Sequence, residues 1–397
     1  MSATKAVPAS SRDSSFLAYN RSLIGQEEID AVVQVLRGGW LTTGARTREF
    51  EMAFARYIGA ENTVALNSCT AALHLALAAV GIRDGDEVIL PTMTFAASGE
   101  VIFYFGARPV LVDCLPDSFQ LDPEQVERKI TSRTRAIMPV HFAGAPCDLD
   151  PICDLAKRYK LKVIEDAAHA LPARYKGRMV GTVGDITCFS FYATKTLTTG
   201  EGGMVTTDNL DYADKIRRLS LHGISKDAWK RYSAEGSWRY YILDVGYKYN
   251  MTDLQAALGL VQLAKCDSML ARRTYIAHCY DRLLQSLHGF TTLPVPPDLE
   301  HAWHLYILQV NHQALTINRD RVIEELKNRG IGTSVHFIPL HLHPLYQSQL
   351  GYRDGDFPNA EERFSRAISL PIYAAMSEPD VSRVMDALAD IDCKFRR

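Results

Sequence analysis

The sequence predicts an α/β fold: a mostly parallel, seven-stranded sheet with helices on both faces, followed by a smaller C-terminal α+β domain. Three observations support this prediction. Short apolar runs alternate with helical patterns between about residues 60 and 210, which is typical of a parallel sheet covered on both faces. The 397 residues exceed what one ordinary core organises. Beyond residue 250 this alternation gives way to amphipathic and proline-rich segments.

The apolar runs define the strands of the predicted sheet. In chain order they are NTVAL (62–66), EVILP (87–91), PVLVD (109–113), RAIMPVHF (135–142), LKVIED (161–166), ITCFSF (186–191) and GMVTTD (203–208). Segments with helical spacing, such as TAALHLALAAVGI and LDPICDLAKRYK, lie between most of them. A sheet of this kind binds ligands beyond the carboxyl ends of its strands.

The C-terminal third has a different organisation. A long amphipathic stretch covers residues 251–284, and the proline-rich TTLPVPPD follows it. DRVIEELKNRG predicts a helix, GTSVHF a short strand, and SEPDVSRVMDALADI a final helix. We therefore predict a loose N-terminal tail over 1–17, a large domain over 18–260 and a small domain over 261–397.

Composition limits the classes of partner. The formal net charge is -2, from 44 basic and 46 acidic side chains, so neither a nucleic acid nor a membrane surface is an expected partner. No apolar run approaches the roughly 18 residues of a membrane span. The eight cysteines include no CxxC pair and read as reduced thiols, without a metal site. We expect a soluble, cytoplasmic protein.

A lysine lies at the turn between two predicted strands. Lys195 follows the strand that ends in FSF and precedes the glycine-rich TTGEGGM. Asp166 ends the earlier apolar run KVIED, at the same edge of the sheet. An amine and a carboxylate at neighbouring strand ends suit pyridoxal 5'-phosphate (PLP): the amine forms a Schiff base, and the carboxylate keeps the pyridine nitrogen protonated. A solvated surface lysine and a helix-capping aspartate are the simpler alternatives.

Several other residues could complete a cofactor site. Asn67, Ser68, Cys69 and Thr70 form the turn into an alanine-rich helix, whose free N–H groups suit a phosphate. Ser190 could add a hydroxyl, Phe95 could stack on the ring, and His169 could lie over the ring or reach its phenolic oxygen. A capped buried helix, a core phenylalanine and a core histidine remain the alternatives at these positions.

With these segments the chain resembles the DegT/DnrJ/EryC1/StrS family of PLP-dependent sugar aminotransferases, of aspartate aminotransferase fold type I. The resemblance runs from about residue 18 to the end. Its segments are GGWLTTG (38–44), NSCTAAL (67–73), PTMTF (91–95), VHFAGAPCDLD (140–150), EDAAHA (165–170), SFYATKTLTTGEGG (190–203), GYKYNMTDLQAALGLVQL (246–263), AWHLYIL (302–308), GIGTSVHFIPLH (330–341) and SLPIY (369–373).

The resemblance implies roles for matching positions. Lys195 would carry the internal aldimine and shuttle the proton, Asp166 would pair with the pyridinium, and His169 would lie near the ring's 3-hydroxyl. Ser68, the backbone at Cys69, Thr70 and Ser190 would hold the phosphate, and Phe95 would pack on the ring. Asn250 would reach the phosphate in the neighbouring subunit, which implies a homodimer with shared sites. Cys69 departs from the more usual glycine, but its backbone donor remains.

The resemblance also suggests the substrates. EDAAHA with GYKYN is similar to the branch that moves an amino group from L-glutamate to C-4 of a nucleotide-linked 4-keto-6-deoxy sugar. Amination at C-3 or of a cyclitol ketone stays open, as does a non-catalytic PLP-fold regulator. Lys195 argues against the related dehydratases, where histidine replaces it. The candidate sugar-nucleotide contacts are Trp40, Thr42, Thr43, His336 and His341.

Overall fold

The computed structural model describes residues 16–225 and 239–397, so most of the predicted tail lies outside the described residues. The strands are β1 Asn62–Leu66, β2 Glu87–Pro91, β3 Arg108–Val112, β4 Thr134–Ile137, β5 Lys162–Asp166, β6 Arg174–Tyr175, β7 Arg178–Met179, β8 Ile186–Ser190, β9 Gly203–Thr207, β10 Phe290–Thr291, β11 Leu299–Glu300, β12 Tyr306–Val310 and β13 Ala367–Leu370.

The helices alternate with these strands through the first half of the chain. They are α1 Gln26–Gly38, α2 Ala45–Ile58, α3 Cys69–Val80, α4 Ala96–Phe103, α5 Pro123–Lys129, α6 Leu149–Tyr159, α7 Leu210–Leu219, α8 Asp253–Ala264, α9 Cys266–Leu284, α10 Arg319–Asn328, α11 Pro344–Leu350, α12 Pro358–Arg366 and α13 Glu378–Phe395. Among the described helices, none is both long enough and apolar enough to cross a membrane.

The seven predicted strands form one sheet in the order β1-β9-β8-β5-β4-β2-β3. β9 pairs antiparallel with both of its neighbours, while the remaining pairs are parallel. The predicted fold class is therefore confirmed. Because β1, β2, β4, β5 and β8 run the same way, their carboxyl ends share one edge, where ligands bind in such sheets.

Helices cover both faces of this sheet. Successive residues of β5 point to opposite sides: Ile164 packs into the core under α3, and Val163 packs into the core under α6. α3 is nearly all apolar and almost entirely buried, as expected of a helix with no solvent face. This burial fixes the position of its N-terminus relative to the ends of β5 and β8.

One predicted strand is shorter than the sequence indicated. RAIMPVHF becomes β4 over four residues only, because Pro139 has no N–H to donate and interrupts the ladder. Pairing resumes beyond it as a single bridge between Val140 and Asp166. The backbone leading to His141 therefore stays attached to the end of β5.

A second core lies in the C-terminal part of the chain. β10, β12 and β13 form a three-stranded sheet, and apolar residues of α9, α10 and α13 pack with it in one cluster. The predicted helices at DRVIEELKNRG and SEPDVSRVMDALADI correspond to α10 and α13. The boundaries 18–260 and 261–397 remain predictions.

One prediction for this region, the strand at GTSVHF, needs correction. The amphipathic stretch 251–284 forms two helices, α8 and α9, which meet at Lys265. There the amine of Lys265 pairs with Glu27 and Glu28 of α1, at 2.8 Å each. GTSVHF is not a strand: its pairing is limited to a bridge between Ser334 and Ser369. The rest of that segment takes an irregular path.

The N-terminus of α2 is capped by a distant carboxylate. Gly44 at the N-cap has no side chain to accept a hydrogen bond. Asp253, buried at the start of α8, accepts instead from the N–H groups of Gly44 at 2.8 Å, Thr47 at 2.9 Å and Arg46 at 3.2 Å. The Thr47 hydroxyl donates to the same carboxylate at 2.7 Å. Asp253 thus connects two helices that are far apart in sequence.

The variant Asp253→Ala should therefore lower the free energy of unfolding by about 3 kcal/mol, because it leaves buried donors without acceptors. Urea denaturation followed by circular dichroism measures the change. Asp253→Asn, which keeps one acceptor oxygen, should lose less. An alanine variant as stable as the parent protein would contradict the capping role.

Candidate active site

A cavity of about 520 Å³ opens at the carboxyl edge of the large sheet. The predicted site residues that line it are Ser68, Cys69, Thr70, Phe95, Asp166, His169, Ser190, Lys195 and His336. The sequence analysis did not assign a role to Leu73, Ala97, Ala168, Tyr192, Thr194, Glu201, Gly202, His304 and Phe337, which also line it.

Lys195 follows β8 and contributes its amine to the cavity. Its backbone N–H donates to the Tyr192 carbonyl at 2.9 Å, so a tight turn fixes the residue. Burial lowers the pKa of the amine to about 8; Cys69 and Asp166 oppose this shift, and Arg273 adds to it. A larger share of the amine is therefore uncharged near neutral pH than in an ordinary lysine.

Asp166 ends β5 with its carboxylate held on two sides. Oδ1 accepts from the N–H of Ala168 at 3.1 Å, and Oδ2 accepts from the hydroxyl of Ser98 at 2.7 Å. Ser98 lies on α4 and is fully buried, with its hydroxyl 2.7 Å from that of Thr94. These contacts fix the direction in which the carboxylate faces the cavity.

His169 enters the cavity as a neutral hydrogen-bond donor. Its Nδ1 accepts from the N–H of Ala143 at 3.2 Å, so the ring proton must reside on Nε2. Burial moves the pKa of His169 well below its ordinary value, and Lys195 and His336 act in the same direction. The ring also stacks on Phe337, with centroids 5.8 Å apart.

The N-terminus of α3 also lines the cavity. The Ser68 hydroxyl accepts from the N–H of Ala71 at 3.1 Å, while helix geometry leaves the N–H groups of Cys69 and Thr70 without an intrahelical acceptor. β9 approaches closely here: a Cβ at Gly203 would lie 2.4 Å from the Ser68 carbonyl oxygen. Only glycine fits there, and the resulting cradle suits a phosphate.

These residues fit pyridoxal 5'-phosphate. The helix N-terminus with Thr70 and Ser190 provides phosphate donors, Asp166 provides a fixed carboxylate, and Lys195 provides an amine with a lowered pKa. Phe95, with 60% of its surface exposed, can cover a ring in the cavity. Amine and carboxylate approach from neighbouring strand ends, as the sequence predicted.

A second group of predicted residues lies outside this cavity. Asn250 donates to the Thr43 hydroxyl at 2.6 Å, and the indole N–H of Trp40 donates to the Thr43 carbonyl at 3.1 Å. The carbonyl of Thr42 accepts from the N–H of Asp253 at 3.2 Å. The structure therefore gathers Trp40, Thr42, Thr43 and Asn250 into one cluster, which is not part of the same chain's cavity.

His341 does not belong to either group. The residue is fully buried; Nδ1 lies 2.7 Å from the Thr92 hydroxyl and Nε2 lies 2.9 Å from Glu361. With both ring nitrogens in contact with protein groups, His341 has none left for a ligand. The predicted sugar contact at His341 is corrected to a role in packing.

Two residues of the site carried little signal in the sequence. Ser98 lies four residues after Thr94 and the two hydroxyls meet at the start of α4, but no local pattern connects Ser98 to Asp166. His304 lies in AWHLYIL, more than a hundred residues from Lys195. Its Nε2 is nevertheless 3.5 Å from the Lys195 amine.

A lysine amine and a fixed carboxylate at the strand ends, facing a phosphate cradle, define this chain as a PLP enzyme of fold type I. The chain belongs to the DegT/DnrJ/EryC1/StrS aminotransferase family, whose model matches residues 22–389. It is 52% identical to the spore coat polysaccharide biosynthesis protein SpsC of Bacillus subtilis over 377 residues, which cover 95% of this chain and 97% of SpsC.

Solved structures agree with this assignment. Spr1654 from Streptococcus pneumoniae in its PMP (pyridoxamine) form superimposes with a TM-score of 0.88 at 36% identity, covering 96% of this chain and 98% of that one. Its structures include a PLP form as well. Helicobacter pylori PseC gives a TM-score of 0.88 at 28% identity and covers 96% of this chain and 100% of PseC. The predicted family and the PLP cofactor are confirmed.

The variant Ser98→Ala should slow the reaction with an amino donor about fivefold, because Asp166 loses a hydrogen bond that contributes about 1 kcal/mol. Stopped-flow absorbance of the cofactor during a single turnover measures the rate. Ser98→Thr retains a hydroxyl and should stay near the parent rate. Equal rates for the alanine variant and the parent would show that Ser98 does not orient the carboxylate.

Proposed function

We propose that this aminotransferase moves an amino group from L-glutamate to the C-4 keto group of a nucleotide-linked 4-keto-6-deoxy sugar. The observation that carries the transamination is the Lys195 amine in the cavity, with its pKa lowered to about 8, beside the held carboxylate of Asp166. An amine with such a pKa can accept and return a proton near neutral pH.

Each residue contributes a defined part of this chemistry. PLP, when bound, supplies an aldehyde and a ring that accepts electrons. Asp166 would stabilise positive charge at the ring nitrogen. His169, whose Nδ1 accepts from the N–H of Ala143, would offer its Nε2–H to the ring's phenolic oxygen. The α3 N-terminus would hold the phosphate, and Lys195 would move the proton at the reacting carbon of the amino donor.

The sugar assignment is supported by the relatives and by residues at the cavity. SpsC is named for spore coat polysaccharide biosynthesis, and PseC is an aminotransferase involved in the biosynthesis of pseudoaminic acid. His169 occupies the position at which the C-3 branch tends to carry glutamine, which favours amination at C-4. His336 lines the cavity and would contact the sugar.

We propose a homodimer in which each subunit completes its partner's site. Asn250, Trp40, Thr42 and Thr43 cluster outside the cavity of their own chain, and Trp40 is 40% exposed. In the partner's cavity Asn250 would reach the phosphate, and the other three would contact the sugar nucleotide. We also infer a cytoplasmic location, because all eight cysteines are free thiols.

The acceptor is tested with the pyridoxamine form of the enzyme and a panel of UDP- and dTDP-linked 4-keto-6-deoxy sugars. We expect one of them to convert the pyridoxamine absorbance into that of PLP. Matched 3-keto sugars and a cyclitol ketone are the controls. Conversion by a control compound alone would contradict the proposed acceptor, and failure of glutamate to produce the pyridoxamine form would contradict the donor.

The shared site is tested by mixing two inactive variants, Lys195→Ala and Asn250→Ala, and letting subunits exchange. A hybrid dimer then has one site in which both Lys195 and Asn250 are intact, so hybrids should regain about half of the parent activity per dimer. Each variant incubated alone is the control. A mixture with only the summed activities of the two variants, despite proven hybrid formation, would show that each site uses its own chain.

A further inference from the structure

His304 contacts the reactive lysine but has no part in the chemistry described so far. It lies just before β12, and only 5% of its surface is exposed. Its Nε2 is 3.5 Å from the Lys195 Nζ, and its ring centroid is 4.4 Å from that of His169. The separation of 3.5 Å is long for a hydrogen bond, as catalytic contacts often are before ligands bind.

Hydrogen bonds to the loop at Ala143 and Gly144 fix the backbone around His304. The N–H of Ala302 donates to the Gly144 carbonyl at 2.9 Å, and the N–H of Leu305 donates to the Ala143 carbonyl at 3.0 Å. Ala143 is also the residue whose N–H binds His169. One loop therefore sets the positions of both His169 and His304.

A buried arginine fixes the same segment from the other side. Arg273 of α9 is only 3% exposed, and its Nη1 donates to the carbonyls of Ile372 at 2.7 Å, Trp303 at 3.0 Å and His304 at 3.3 Å. Burying a guanidinium costs free energy, and the three hydrogen bonds offset part of that cost. The same hydrogen bonds hold the segment around His304 in place. Trp303 is held there with a φ of 47°, in the left-handed region.

The surroundings of the ring determine its tautomer. The Nδ1 atom of His304 is buried and has no hydrogen-bond partner among the described residues. A buried N–H without an acceptor is rarer and more costly than a bare lone pair. When the amine of Lys195 is uncharged, the proton therefore resides on Nε2, which faces that amine. An N–H aimed at that amine stabilises its uncharged form, which has a lone pair to accept it.

We propose that His304 is a positioning residue for Lys195: the Nε2–H of His304 binds the free amine and keeps it uncharged between its proton transfers. This inference rests on the proposed transamination, in which Lys195 must act as a base. Arg273 acts one step further away, by fixing the backbone of His304. The other titratable groups that face Lys195 in the described structure are Cys69, Asp166, His169, Arg273 and His336.

Two conservative variants separate this role from simple packing. In His304→Gln the side-chain amide nitrogen can occupy the position of Nε2, whereas in His304→Asn it occupies the position of Nδ1. Full-length protein is loaded directly with pyridoxamine 5'-phosphate, so that Lys195 is free without any turnover. Acetic anhydride is applied at graded pH, and mass spectrometry compares acetylation of Lys195 with that of the exposed Lys394.

We expect the glutamine variant to follow the parent protein. In the asparagine variant the midpoint of Lys195 acetylation should rise by about one pH unit, which corresponds to the loss of one hydrogen bond to the uncharged amine. An unchanged or lowered midpoint in the asparagine variant, or equal shifts in both variants, would overturn the proposal. The acetylation experiment uses no sugar and no glutamate. Its result is therefore independent of whether the acceptor panel supports the proposed function.

Discussion

The enclosure of the half-buried Lys195 in the cavity at the sheet edge is the constraint on which the site depends. Burial is the largest influence on this group and brings its pKa to about 8, although Cys69 and Asp166 act in the opposite direction. A lysine on the surface would be almost fully charged near neutral pH and would be a poor base or nucleophile. Cys69, Asp166 and His304 lie around this amine.

The topology of the sheet explains how a few residues can form the whole cofactor site. Parallel strands bring Asp166, Ser190 and the N-terminus of α3 to one edge, and the single antiparallel strand brings Gly203 against Ser68. Neighbouring hydroxyl and backbone groups then fix the orientation of the reactive side chains. Ser98 fixes Asp166, and Ala143 fixes the tautomer of His169. Function here depends on backbone donors and buried hydroxyls as much as on charged side chains.

The sequence alone predicted those parts of the fold and the site that depend on a local pattern of residues. All seven strands of the large sheet and the positions of Lys195 and Asp166 follow from apolar runs and from the residues at their ends. The contact of His304 with Lys195 spans 109 residues and depends on the packing of Arg273, which no local pattern reveals. GTSVHF alternates like a strand, yet tertiary packing gives it an irregular path, and His341 has its ring nitrogens in contact with Thr92 and Glu361.

The most direct test of the central claim is to locate the covalent bond between protein and cofactor. The protein saturated with PLP is reduced with borohydride, digested and analysed by mass spectrometry. The account predicts a single phosphopyridoxyl group, on Lys195, in the peptide that contains FSFYATKTLTTG. A phosphopyridoxyl group on any other lysine, or bound PLP that borohydride does not fix to the chain, would contradict it.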